Sequence, residues 1–137
     1  MQCLEDVYKK IDDEDIEIFT YRLKSCDAVT IEVEKEYGIF IDKARLKNSS
    51  DEFMALAHEY GHCESGTTHK LDSEFQLIGQ HENRANRAAV YEFLPVEKIK
   101  DAFKHKYFDY WEIADYLDIP EAFVKMAIEI YIVEEKI

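Results

Sequence analysis

Ser49-Ser-Asp-Glu-Phe53-Met-Ala-Leu-Ala-His58-Glu59-Tyr-Gly-His62-Cys-Glu-Ser-Gly66 is the stretch on which the reading of this chain turns. Phe53, Leu56, Ala57 and Tyr60 recur at i, i+3, i+4 and i+7, the period of a helix with one apolar side. Ser49 and Glu52 have capping-box spacing, and Gly66 supplies the residue type that most readily ends a helix. With about 100° between successive residues, His58 and His62 project nearly opposite the apolar stripe, flanked by Ala55 and Gly61. Both sides of this helix therefore need neighbours. The stripe is expected to pack on a sheet, and the small residues on the histidine side would let a second helix approach closely.

Working upstream, Leu4, Val7, Tyr8 and Ile11 make a short amphipathic helix that the acidic run Asp12 to Asp15 stops. Ile16 to Leu23 is rich in strand formers, Val29, Ile31 and Val33 alternate with Thr30, Glu32 and Glu34, and Gly38 opens Ile39 to Ile41. Three short strands are expected, in an antiparallel arrangement. Downstream, Ser65 to Gln80 reads as a long polar connection with a turn of structure around Phe75 to Ile78. A helix follows from about His81 to Leu94, stopped by Pro95, and Val96 to Lys104 is helical again. Tyr110, Ile113, Ala114 and Leu117 form another helical set, and Pro120 suits the first turn of a last helix ending near Glu134. The fold class is α+β: a small three-stranded sheet packed against the helix that carries His58 and His62, then a helical C-terminal half, in one domain over 1–137.

Composition narrows the function. A chain of 137 residues with 47% hydrophobic residues has material for a core, and a net charge of −13 repels phosphate backbones. Nothing gathers Lys and Arg into a stripe, so direct nucleic-acid binding is not expected. Met1 to Asp6 lacks the basic and apolar pattern of an export signal, and Glu129 interrupts the apolar run Ala127 to Val133, so no membrane span is expected. Cys3, Cys26 and Cys63 are an odd, unpaired set, which argues for a reducing compartment and a cytoplasmic protein.

His58-Glu59-Tyr60-Gly61-His62 is an HExxH pattern. Histidines at i and i+4 of a helix can share one tetrahedral Zn²⁺, and Glu59 between them can serve as general base toward a water that the metal acidifies. Glu82, Ala85, Asn86, Ala89 and Phe93 share one face of the later helix, and a carboxylate on such a small, apolar face needs a partner. Taken alone, Glu82 would be a solvated carboxylate near a helix start; with the histidine pair it becomes the candidate third ligand. Asn86, one turn further on, is a candidate to hydrogen-bond a ligand histidine and fix its ring.

These residues, with Glu82-Asn-Arg-Ala-Asn86-Arg-Ala-Ala-Val-Tyr-Glu-Phe-Leu-Pro95 after the HExxH, make the chain resemble the ImmA/IrrE family of zinc metallopeptidases. The family pattern reads roughly E-x-x-A-N-x-F-A-x-x-L-L-M-P; Ala88 stands where it has Phe, and Glu92 where it has Leu. The resemblance implies His58, His62 and Glu82 as Zn²⁺ ligands and Glu59 as the catalytic glutamate. It also implies an intracellular endopeptidase whose protein substrate is a helix-turn-helix repressor, often encoded on mobile elements such as phage or beside stress regulators. The alternative is a non-catalytic zinc-containing module that sequesters such a regulator, its acidic surface matched to a basic DNA-binding partner.

Other residues carry less. His81 is adjacent to Glu82, so the two point about 100° apart and are not expected to face one ion together. His69 reads as a solvated loop histidine, Tyr91 as a packing residue opposite Glu82, and Cys63 as a small buried thiol. Ile113 to Ile128 has a helix-turn-helix outline, but a recognition helix starting near Pro120 would present Glu121 and Glu129 to phosphates.

Overall fold

A computed structural model of the chain describes residues 1–68 and 75–137. Helix α1 (Gln2–Asp13) leads into strands β1 (Glu17–Thr20), β2 (Ala28–Val33) and β3 (Glu36–Ile41). Helices α2 (Ser49–Ser65), α3 (Phe75–Phe93), α4 (Val96–Lys104), α5 (Tyr110–Leu117) and α6 (Glu121–Val133) follow. The class is α+β with a helical C-terminal half, as the patterning indicates. Among the described residues, no helix is long and apolar enough to cross a membrane. His69 lies outside the described residues.

The sheet corrects the expectation of an antiparallel arrangement, because it is mixed. Its order is β1-β3-β2, with β2 antiparallel to β3 and β1 parallel to it. Successive strands do reverse direction, but the connection 21–27 leaves a gap that β3 enters. Buried Asp42 holds that connection: its carboxylate accepts from the amides of Leu23 (2.9 Å) and Ala44 (3.1 Å), and its own amide donates to the Asp27 carbonyl (2.8 Å). No short turn signal announces such a link. The β2–β3 hairpin closes through Glu34 and Lys35, both at positive φ (51° and 71°), the primed turn that matches strand twist.

The N-terminal cap of α2 sits one residue earlier than Ser49. Asn48 Oδ1 accepts from the Asp51 amide (2.9 Å) and Asp51 Oδ2 accepts from the Lys47 amide (3.2 Å), while Glu52 accepts the Tyr8 hydroxyl instead of reaching back. At the other end Gly66 takes the left-handed conformation (φ 64°), and the next amide, of Thr67, returns to the His62 carbonyl at 3.1 Å.

The apolar stripe of α2 lies in one core with Ile39 and Ile41 of the sheet, as expected, and that core also takes in α1, α3 and α6. Phe53 meets the rings of Phe93 and Phe123 edge-on at 6.0 and 5.0 Å, Tyr60 meets Phe93 at 5.2 Å, and Val7 and Ile11 of α1 join the same core. The sheet also touches α2 on its Glu59 side, where the Thr30 hydroxyl lies 3.2 Å from the Glu59 carbonyl. Register then sorts the sheet. Ile39, Ile41, Ala28 and Thr30 share the inner face, and Val29, Ile31 and Val33 share the outer one. Strand β2 thus turns its large apolar residues, Val29, Ile31 and Val33, away from the core, the reverse of what alternation ordinarily means.

Helix α3 starts at Phe75, ahead of the expected His81. The turn of structure expected around Phe75 to Ile78 is its first turn, and Gly79 is accommodated because a glycine inside a helix costs only about 1 kcal/mol. The α2–α3 crossing is tight: a Cβ on Gly61 would lie 2.0 Å from the Ala85 carbonyl oxygen. Backbone blocks that methyl, so no side-chain rotation can relieve it. Gly61→Ala is expected to lower stability by about 3 kcal/mol or more, read as an earlier midpoint in urea unfolding.

Candidate metal centre

Three side chains from two helices meet where α2 and α3 cross. His58 and His62 leave α2 one turn apart, and Glu82 reaches them from α3. Their nearest ligand atoms lie within 4.8 Å of one another. His62 Nε2 is 3.1 Å from His58 Nε2 and 3.1 Å from Glu82 Oε1, and His58 Nε2 is 2.5 Å from Glu82 Oε2. Donors bound at ~2.0–2.2 Å to one tetrahedral ion stand roughly 3.4 Å apart. The first two separations come within a few tenths of an ångström of that, and the third is shorter.

Hydrogen bonds on the far side of each ring fix what faces the centre. His58 Nδ1–H donates to Asn86 Oδ1 at 2.8 Å, and His62 Nδ1–H donates to the Thr67 carbonyl at 3.2 Å. A neutral ring with its proton on Nδ1 presents a lone pair at Nε2. Two such lone pairs and an acceptor-only carboxylate therefore point at one another. Acceptors do not hydrogen-bond to acceptors, so with both rings neutral the cluster calls for a shared cation, whose place a proton on one Nε2 would otherwise take. Burial, and then the neighbouring His58, hold the His62 imidazole below its ordinary pKa, which favours the neutral, ligating ring. The group could hold a metal ion.

Glu59 lies beside this centre, only 8% exposed, with Oε1 accepting the Thr30 hydroxyl at 2.8 Å. A cleft of about 290 Å³ opens over it, lined by Cys26, Ala28, Thr30, Thr68 and the three converging residues. A second hollow of about 410 Å³ begins on the other side of His58 and Glu59 and runs past Met54, Asn86, Phe123 and Met126. The two hollows adjoin, with Ala28, His58 and Glu59 in the walls of both, and together make a groove past Glu59.

Every residue singled out for the centre is brought together there: His58, Glu59, His62, Glu82 and Asn86. His81 is not among the converging groups, and Tyr91 stands away from them, its ring stacked on Tyr131 and its hydroxyl on Glu134. Glu92, where the resembled pattern has Leu, lies at the surface and pairs with Lys10 of α1 at 3.2 Å. Sequence reasoning missed Thr30 and Thr67. Thr67 carried a signal, because a residue just past a helix-ending glycine is folded back toward the last turn. Thr30 is a polar residue at an inward strand position, legible only once the strand's inner face is known. Compared with protein-family models, with curated proteins and with solved structures, the chain matches none.

Two outcomes follow. Asn86→Ala removes the acceptor that orients His58, and metal affinity measured by chelator competition is expected to fall by about 10–100-fold with the fold intact by circular dichroism. Burial, then the Glu59 charge, pushes the Cys63 thiol up to about 12. Cys63 is expected to resist a disulfide reagent near pH 8 while the protein is folded and to react on unfolding, counted by mass spectrometry.

Proposed function

We propose that the chain is a zinc-dependent endopeptidase of the ImmA/IrrE type, acting on a regulatory protein of the helix-turn-helix repressor class. One observation carries the reading: two imidazole nitrogens and a carboxylate, all lone-pair acceptors, converge beside the Glu59 carboxylate in an open groove. Two nitrogens, one oxygen and an open side suit Zn²⁺ with a coordination position left for water. The substrate class is supported by the resemblance of residues 82–95, and a chain of net charge −13 is matched to a basic partner.

A bound Zn²⁺ supplies Lewis-acid polarisation of the scissile carbonyl and acidifies water. The chain's own residues do the rest. His58, His62 and Glu82 hold the ion, and Asn86 and Thr67 hold the two rings in their tautomers. Glu59 keeps Oε1 on Thr30 and uses Oε2 to take a proton from the attacking water as its oxygen bonds to the carbonyl carbon. The same carboxyl returns that proton to the amine nitrogen as the C–N bond breaks, so one water is consumed per bond cleaved. Residues 28–30 of β2 line the groove at the sheet's edge, where an extended substrate segment can pair with backbone.

Protein purified without a metal-affinity step is expected to carry about one zinc per chain, and Glu82→Ala to lose most of it. Against a peptide library read by mass spectrometry, Glu59→Gln is expected to keep the zinc and lose cleavage by at least about a hundredfold. Equal zinc in wild type and Glu82→Ala would remove Glu82 from the centre. Undiminished cleavage by Glu59→Gln would remove the general base.

A further inference from the structure

The outer face of the sheet is apolar where solvent would ordinarily demand polar residues. Phe19, Ile31 and Val33 are 37%, 44% and 64% exposed, and Phe40 lies between them, stacked on Phe19 with ring centroids 5.0 Å apart. Gly38 lets this happen: a Cβ there would stand 3.3 Å from the Phe19 ring, so the bare backbone is what allows the ring to lie down over β3. The result is a shallow hollow of about 370 Å³. An apolar face of this kind marks a contact surface more often than it marks chance.

Charge decides what fits it. Glu17 and Glu36 stand on the same outer face by register, and Asp15 and Glu34 border it from positive-φ positions (59° and 51°). Among the described residues, none of these four carboxylates forms an ion pair with Lys or Arg, including Lys35 between Glu34 and Glu36. An anionic membrane or a nucleic acid would be repelled by the rim. A second copy of the chain using the same face would set the four carboxylates against their own counterparts. A segment carrying aliphatic side chains among Lys or Arg satisfies both floor and rim.

We propose that this sheet face is a docking surface for a cationic, aliphatic-bearing segment of a partner protein, across the sheet from the groove that holds Glu59. The proposal stands whether or not the metal centre hydrolyses anything. The probe is a fluorescein-labelled octapeptide alternating Lys with Leu, titrated by anisotropy and by ¹⁵N chemical-shift mapping on the full chain. Shifts are expected to concentrate on Phe19, Ile31, Val33 and Phe40. Both Ile31→Thr/Val33→Thr and Glu17→Gln/Glu36→Gln are expected to raise Kd by about tenfold, while Glu121→Gln/Glu129→Gln on α6 changes it less than about twofold. If a sheet variant fails to fold, the wild-type shift map decides. Absence of saturable binding, shifts spread over the acidic surface or centred on the metal groove, or equal weakening by the α6 variant would each overturn the proposal. So would sedimentation showing a dimer that the Ile31→Thr/Val33→Thr variant abolishes.

Discussion

Helices α2 and α3 cross with the Gly61 backbone against the Ala85 carbonyl, at a separation that excludes even a methyl group. That spacing sets how far the Glu82 carboxylate must reach to meet two imidazoles on the other helix. Were the helices to part by the width of an ordinary side chain, roughly 2 Å, Glu82 would leave the shared point and Asn86 would lose the His58 ring. Ala85 and Gly61 therefore bear on the centre without touching it. Phe93, about two turns along α3 from Ala85, meets both Tyr60, next to Gly61, and Phe53, about two turns before it, which converts a local contact into a fixed crossing.

Polar groups gathered in this way carry a cost that apolar packing must offset. His62 is only 5% exposed and Glu59 is scarcely more, and each would lose its hydration without return if its far side were unmet. Each is met: His62 by Thr67 at the helix-ending turn, Glu59 by Thr30 on the sheet, His58 by Asn86 on α3. The turn, the sheet and the second helix each contribute one support, so the centre ties together elements far apart in sequence. What those supports leave facing inward is a set of acceptors alone. A cation held at that point would bind the folded chain and not the unfolded one, and would so link metal binding to folding.

Much of this was legible from residue pattern, and the misses have physical causes. Helical periodicity located α1, α2 and the C-terminal helices because each buries one stripe, and the HExxH and Glu82 faces could be aligned for the same reason. Strand order was not legible: which strand lies between two others depends on long-range pairing, and the connection 21–27 is held by Asp42 and not by a recognisable turn. The early start of α3 was hidden by the polar composition of the stretch Ser65 to Gln80, a local signal that yields to tertiary packing. The facing of β2 was not legible either, because its alternation suggests an apolar inner face, whereas β2 presents Thr30 to Glu59 and keeps Ile31 and Val33 outside. At the functional site, local pattern and burial part company.

The claim at the centre is that Nε2 of His58, Nε2 of His62 and the Glu82 carboxylate bind one cation together. X-ray absorption at the zinc edge, on protein loaded with one equivalent of Zn²⁺, reads that shell directly. The account predicts two imidazole nitrogens with the remaining neighbours oxygen, at about 2.0–2.2 Å, and no sulfur. A sulfur neighbour at about 2.3 Å, drawn from Cys26 or Cys63, or a shell lacking imidazole, would contradict it.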